Sequence, residues 1–349
     1  MPEPSSSRLR ALRELTRCRI LEFTREPEAI FWVFIFPALL AAVLGFAFRE
    51  KPPDRIPVGV VAGPAAEQTQ AALAKSPVLL AREYETQAGR EALRTGKISL
   101  LVEPGPPVVF RFDETRPDSR IARLEADDAL QRAAGRGDPL QVRSERVTEK
   151  GSRYIDFLVP GLLGMNLMGT GIWSLAFSIT SARNRRILKR LVATPMRRGD
   201  YLLSQILGRL VFLIPEVVVL VGIGALVFGV PLRGSILLLG FVCLLAAMSF
   251  CGLGLLIASR VRTIEGASGL ANFVMLPMWL LSGVFFSSER FPDMIQPLVR
   301  ALPLTAVNEA LRAIMNEGQG LVGVLPQLAI VAAWGLVSFV VALKIFRWQ

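Results

Sequence analysis

Six stretches of the chain are long enough to cross a bilayer and nearly free of charge, and they limit the fold more than any other feature. They fall at residues 29–48, 157–181, 203–229, 235–258, 267–286 and 321–343. At about 1.5 Å of helical rise per residue, some twenty apolar residues match a hydrocarbon core of about 30 Å. Inside that core each backbone amide has to bond within its own segment, so every run is expected to be a helix. The composition agrees: 52% of residues are hydrophobic, yet the formal charge is +11. Spans supply the first property, and basic loops at the membrane edge supply the second.

What lies between the runs differs in kind. Residues 8–25 read as a basic amphipathic helix, with Leu9, Leu12, Leu15, Ile20 and Phe23 on one stripe between arginines. Such a helix just before a span lies in the membrane interface. Glu26-Pro27 ends it, so residues 1–27 form an interfacial region and 28–48 the first transmembrane helix. No small-residue cleavage site follows convincingly, and this span is expected to be an uncleaved anchor. Residues 49–153 are charged and rich in Pro and Gly. Strands are expected at 56–62, 98–102 and 108–113, a helix at 65–74, and another capped by Asp118 and running through Ile121, Leu124 and Leu130. Strands alternating with helices imply a compact α/β domain. The remainder, 154–349, is expected to be a five-helix transmembrane region. It carries a loop at 182–200 and, at 287–318, a segment too polar to span, which dips into or lies on the outer face. The fold class is therefore an α-helical integral membrane protein with about six transmembrane helices and an inserted small α/β domain.

Lysine and arginine crowd one side of this topology, in 8–25, 183–198, 260–262 and 344–347; the short connections of the other side carry only Arg233, Arg290, Arg300 and Arg312. The bias places both termini in the cytoplasm and the α/β domain outside it. It also assigns the positive charge to membrane lipids rather than to nucleic acid.

Several chemistries find no footing. The chain has no histidine and three cysteines, Cys18, Cys243 and Cys251, none in the polar domain; no metal spacing or disulfide framework follows. The acids Asp127 and Asp128 are neighbours that diverge by about 100° on a helix, so they do not form a paired carboxylate site. No Gly-x-x-x-x-Gly-Lys-Ser/Thr occurs, and Gly96-Lys97 lacks both the upstream glycine and the following hydroxyl. The chain is not expected to be an enzyme or to bind a cofactor of its own.

Two places remain as candidates. Glu216, after Pro215 in the third run, is an ionisable group inside a span and so a candidate for the substrate path, together with Asn166 and Asn272. Arg209, two helical turns away, offers the plainer reading of a pair near the membrane edge. Gly161, Gly164, Gly169 and Gly171 make a small-residue surface in the second run, suited to dimerisation, to a cavity wall or to internal packing. In the loop, Ile187, Leu188 and Leu191 are expected to share a helical face with Lys189 and Arg190 turned away. Thr194-Pro195 would end that helix and Asp200 would cap the next. A short amphipathic helix of this kind suits a groove on a partner protein.

The run from Arg183 through Arg186, Ile187, Leu188, Lys189, Arg190 and Leu191 to Thr194, Pro195 and Arg198 resembles the cytoplasmic loop of ABC transporter permeases of the type-2 export class. Leu281-Ser-Gly-Val-Phe-Phe286 and Leu302-Pro-Leu-Thr305, with Glu309 and Arg312, resemble the outer re-entrant region of the same family. An outward domain between the first two spans is similar to its bacterial drug- and lipid-exporting branch. Where family members often carry Glu-Lys-Gly-Thr-like residues, this chain has Arg185, Arg186, Ile187 and Leu188. The resemblance implies a permease of the bacterial inner membrane that exports a hydrophobic or amphipathic substrate, as in multidrug efflux. It also implies cytoplasmic ABC ATPase partners that bind the ATP, a second permease subunit (a copy or a different chain), and ATPase coupling through residues 186–191 with Thr194 and Pro195. Two rivals stand against it. One is an ion-gradient-driven secondary transporter, which would need more buried acids or matching broken helices. The other is a membrane-anchored receptor or scaffold, for which six spans are more than an anchor requires.

Overall fold

The computed structural model describes residues 4–48, 55–137, 140, 151, 153–193 and 198–347. In chain order, α1 is Pro4–Thr24 and α2 is Pro27–Ile30. A π-helical turn, Phe31–Ile35, leads into α3, Phe36–Ala47. Then come β1 (Ile56–Val61), α4 (Ala66–Leu73), β2 (Leu79–Tyr84), α5 (Thr86–Arg94), β3 (Leu100–Glu103), β4 (Val109–Phe112) and α6 (Pro117–Ala133). The rest is helical: α7 (Tyr154–Asn184), α8 (Ile187–Val192), α9 (Arg198–Phe228), α10 (Ile236–Ala258), α11 (Ile264–Leu281), α12 (Gln296–Ala301), α13 (Pro303–Met315) and α14 (Leu321–Ile345). The chain divides into two compact units: Glu50–Val147, and Met1–Arg49 together with Thr148–Gln349.

The smaller unit is a four-stranded sheet in the order β2-β1-β3-β4. β1 pairs in parallel with β2 and β3, and β4 returns antiparallel to β3. Burial on both sides explains why β1 reads as an unbroken apolar run, and exposure at every second position explains why edge strand β4 alternates. One face packs Val58, Val60, Leu79 and Leu100 against α4 and α6; the other packs Ile98 and Leu101 with Ala92 of α5. Two elements were not anticipated from sequence, β2 and α5. Asp118 also sits differently from expectation: Arg116 occupies the N-cap of α6, Pro117 its first turn, and Asp118 lies inside that turn without capping.

Six described helices of the larger unit are long and apolar enough to cross a membrane: Pro27–Ala47, Tyr154–Asn184, Gly199–Phe228, Ile236–Ala258, Ile264–Leu281 and Leu321–Ile345. The fifth stops five residues before the expected end, where Gly283 turns the chain at φ 69°. At the centre stands α7, packed on α3, α9, α10, α11 and α13, with α14 on the far side of α10. Three of its glycines meet neighbours inside this unit. A Cβ on Gly161 would strike Val284 O at 2.6 Å, on Gly164 it would strike Asn308 Oδ1, and on Gly171 Phe250 Cβ at 2.7 Å. The small-residue surface thus serves close helix approach within the chain. Within the non-spanning segment, α13 is buried along nearly its whole length, whereas α12 buries only Val299.

Prolines interrupt the hydrogen bonding of several of these helices, and two of the gaps are filled from elsewhere. A proline inside a helix cannot donate to the carbonyl four residues earlier. Pro160 leaves Asp156 O free, and Asn316 Nδ2 donates to it at 2.8 Å. Pro37 does the same to Val33 O, which accepts from Asn166 Nδ2 at 3.1 Å. Beside these, Asn308 Nδ2 donates to Ser282 O at 2.8 Å. Arg312 donates to Phe157 O at 3.2 Å and to Gly283 O, with its guanidinium over the Phe157 ring.

Candidate functional site

Helices α1, α7, α9 and α11 and the start of the first span surround a half-open cavity of about 840 Å³. Aromatic residues dominate its wall: Phe23 from α1, Trp32 and Phe36 from the first span, Trp173 and Phe177 from α7, Phe212 from α9 and Trp279 from α11. Phe23 and Phe212 lie 4.1 Å apart between ring centres, and Trp173 stacks on Phe177 at 4.6 Å. The helix periodicity of α7 puts Asn166, Gly169, Thr170, Trp173 and Phe177 on the stripe that faces the opening. A Cβ on Gly169 would meet only Met275 Cε, at 3.7 Å, so this glycine is the one of the four that forms cavity wall.

The floor of the cavity is polar. Arg209 and Thr170 line it, and Glu216, seven residues further along α9 and outside the lining, forms a buried ion pair with Arg209, Nη2 lying 2.6 Å from Glu216 Oε2. Thr170 of α7 donates to Glu216 Oε1 at 3.1 Å, and its hydroxyl also accepts from Arg209 Nη2. Residues seven apart lie two turns along one face, so the pair closes on itself and the α7 hydroxyl ties it to the neighbouring helix. At 4% and 1% exposure for Arg209 and Glu216, the pair is dry, and neither charge would be tolerable without the other. Glu216 therefore pairs with Arg209 and Thr170, not with the two asparagines. Asn166 does line the cavity but spends its amide on Val33 O. Asn272 is exposed on α11 and, like Glu216, is not in the cavity lining, so of the three expected residues Asn166 alone lines it.

The cavity's outer rim depends on Arg19. Its stem crosses Gly208, where a Cβ would come within 2.7 Å of Arg19 Cγ. Its guanidinium reaches Glu22 at 2.8 Å and Ser174 O and Oγ at 3.3 and 3.2 Å. One side chain thereby fixes α1 against both α9 and α7. Arg19, Thr170, Ser174 and Gly208 had not been singled out from the sequence. Only the spacing of Arg209 and Glu216 signalled that α9 has a polar face.

The loop after α7 holds a second arrangement. Arg186 adopts φ 59°, a left-handed conformation uncommon for a side-chain-bearing residue, and the chain turns there into α8. Leu188 is buried at 1% exposure among Leu175 and Ile179 of α7, Tyr201 and Leu202 of α9 and Leu255 of α10, with Leu191 packed beside them. The expected shared face is thus divided. Leu188 and Leu191 face their own protein, while Arg186, Ile187, Lys189 and Arg190 stay exposed. Asp200 lies within the first turn of α9 rather than at a described cap. Thr194 and Pro195 lie outside the described residues. Below the turn, Arg183 donates to Ala258 O at 2.7 Å and Arg347 O at 2.9 Å, joining the ends of α7 and α10 to the last residues described.

Against known proteins, a family profile described as "ABC-2 family transporter protein" matches residues 27–344. Among curated relatives, the probable multidrug ABC transporter permease YbhS of Escherichia coli K12 is 29% identical over 170 residues, covering 46% of this chain and 43% of that protein. The inner membrane transport permease YhhJ of the same organism is 28% identical over 166 residues, 47% of this chain and 44% of that one. ABC transporter G family member 20 of Dictyostelium discoideum is 29% identical over 170 residues, 49% of this chain and 23% of that protein. Each match spans less than half of the relative's own length.

Proposed function

The chain belongs to the ABC-2 family of transporter proteins, and from that premise we propose that it is the permease subunit of an ATP-driven exporter, with the aromatic cavity as its substrate path. The observation that carries this reading is the cavity: about 840 Å³, walled by aromatic side chains from four spans and an interfacial helix, with Arg209 in its lining neutralised from behind by Glu216. Such a space suits a hydrophobic or amphipathic molecule, and the charges at its rim, Arg19, Glu22, Glu26 and Arg185, balance in sign. The ion-gradient alternative weakens for the same reason, because Glu216 is already matched by Arg209. ATP is bound and hydrolysed on separate cytoplasmic ABC subunits, and a second permease chain, identical or different, completes the assembly in the inner membrane. Both termini and α8 face the cytoplasm.

The route from partner to cavity runs along one rod. An ATPase subunit touching Ile187, Lys189 and Arg190 pushes on α8, whose Leu188 is embedded in the cluster shared by α7, α9, α10 and α14. From Asn184 at the end of α7 to Gly169 at the cavity is roughly 22 Å of continuous helix. A tilt imposed at the loop is thus felt at the cavity wall. The test is co-purification with the cognate ATPase subunit in lipid nanodiscs, comparing wild type with Ile187→Asp/Arg190→Glu. Both positions are exposed, so the variant is expected to stay monodisperse and to lose the ATPase subunit. Capture of no ATPase subunit by wild type would sink the permease reading.

A further inference from the structure

The ends of three spans meet at one residue, and the cations gathered there lack a counter-charge. Arg183, in the last turn of α7, donates to Ala258 O at 2.7 Å, to Ser259 O at 3.4 Å, to Val261 O and to Arg347 O at 2.9 Å. Its guanidinium also lies over the Phe346 ring at 5.5 Å. Arg347 N in turn donates to Ser259 O at 3.1 Å. The end of α10, the turn into α11 and the residues after α14 are thereby held together. Arg260, Arg262, Lys344 and Arg347 are exposed around this junction, and none has a carboxylate partner among the described residues. Residues 258–264 and 342–347 contain no acid; Glu265, in the first turn of α11, is the nearest along the chain. The C-termini of α7, α10 and α14 bring about −1.5 charge between them, so with Glu265 a surplus of about 2.5 positive charges remains. Apolar surface leads up to this patch. Val337, Val340, Val341 and Lys344 fall at i, i+3, i+4 and i+7 of α14, so they share one face, and all four are exposed.

The geometry points to a binding site for one acidic membrane lipid. Its phosphate sits among Arg260, Arg262 and Arg347 with Lys344 at the edge, and an acyl chain runs along Val337, Val340 and Val341. Guanidinium groups take phosphate oxygens in pairs, and cations at a membrane surface attract acidic head groups. A soluble anion would use the cations and leave the valine stripe idle. A zwitterionic lipid carries its own ammonium, which the patch repels. The bound lipid bridges the α10–α11 turn and the end of α14, and so steadies both against Arg183 at the base of α8.

The full chain in mild detergent is titrated with phosphatidylglycerol and with phosphatidylcholine of the same acyl chains, and bound lipid is counted by native mass spectrometry. Wild type is expected to hold the first phosphatidylglycerol about thirty-fold or more tighter than phosphatidylcholine. Arg262→Gln/Arg347→Gln is expected to bind phosphatidylglycerol about twenty-fold more weakly than wild type, which leaves almost no preference. The backbone bonds of Arg347 with Arg183 and Ser259 survive that change, so the junction is expected to persist. Lys344→Gln is expected to lose about five-fold, and it keeps the question answerable if the double variant does not fold. Arg10→Gln/Arg13→Gln removes the same charge from exposed positions of α1 and is expected to leave the preference intact. If this control loses as much as the junction variant, the attraction belongs to the whole basic side and the site is overturned. Equal binding of the two lipids by wild type overturns it as well. Glycerol 3-phosphate, a head group without chains, is expected to displace no lipid; displacement at equal concentration would mark a soluble anion as the ligand and end the lipid assignment.

Discussion

The two units of this protein use polar groups in opposite ways. In the α/β unit, ion pairs lie on the surface. Glu103 meets Arg111 at 2.7 Å and Arg90 at 3.6 Å, and Asp128 meets Arg132 at 2.9 Å, all with side chains in contact with water. In the helical unit, several polar side chains are buried against specific partners: Arg209 against Glu216, Asn166 and Asn316 against carbonyls freed by prolines, and Asn308 against Ser282 O. Water competes for the first set and supplies substitutes when a partner is lost. The second set is shielded from it by burial. Contacts of similar length therefore differ in consequence, and distance alone does not rank them.

Four substitutions press on that contrast. The largest effect is expected from Glu216→Leu alone, which strands the Arg209 charge at a cost of about 3–5 kcal/mol; the fraction of monodisperse protein recovered from membranes should collapse. Normal recovery would mean that water reaches the pair. Next come Asn316→Leu and Asn166→Leu, each leaving one carbonyl dry at about 1–3 kcal/mol and visible as a lowered melting midpoint. The asparagine assignment can be sharpened with a cycle. In a Pro37→Ala background the backbone regains its own donor for Val33 O, so Asn166→Leu should cost measurably less there. Equal costs in both backgrounds would show that the amide does some other job. Smallest is Glu103→Gln. Its hydrogen bond with Arg111 holds the Glu103 carboxyl below the usual range, against the opposing effect of partial burial. A depressed carboxyl stabilises above its unfolded pKa of about 4.3 and loses that contribution as pH falls through the folded value. Wild type and variant should thus differ by no more than about 2 °C in melting midpoint at pH 7 and converge on acidification. High salt should shrink this difference and leave the Glu216 effect untouched.

The spans were legible because hydropathy over twenty residues is a strong signal that needs no partner. The sheet was only partly so. β2 reads Leu-Leu-Ala-Arg-Glu-Tyr, a mixed pattern that matches neither alternation nor an apolar run, because it is an edge strand with one long face in water. In the loop, the three apolar residues of α8 fit a single stripe on paper, but Ile187 and Leu188 are neighbours and diverge by about 100°. Which of them turns inward was decided by the cluster around Tyr201, formed from residues far along the chain. For the same reason Asn166 and Asn272 looked alike in sequence and ended in different surroundings. A polar residue in a span announces that it needs a partner; the partner is set by the packing of other helices.

The proline repairs also impose an order in time. The donor to Val33 O lies 133 residues downstream, and the donor to Asp156 O lies 160 residues downstream. At about 5–20 residues per second of synthesis, the first span waits roughly 7–27 s before Asn166 exists. The whole polar unit is made in that interval. The central helix then waits in its turn for Asn316. Each break is closed by a segment that arrives later, the first by the second span and the second only by the end of α13, so a ribosome that stops between them leaves the break in the central helix open.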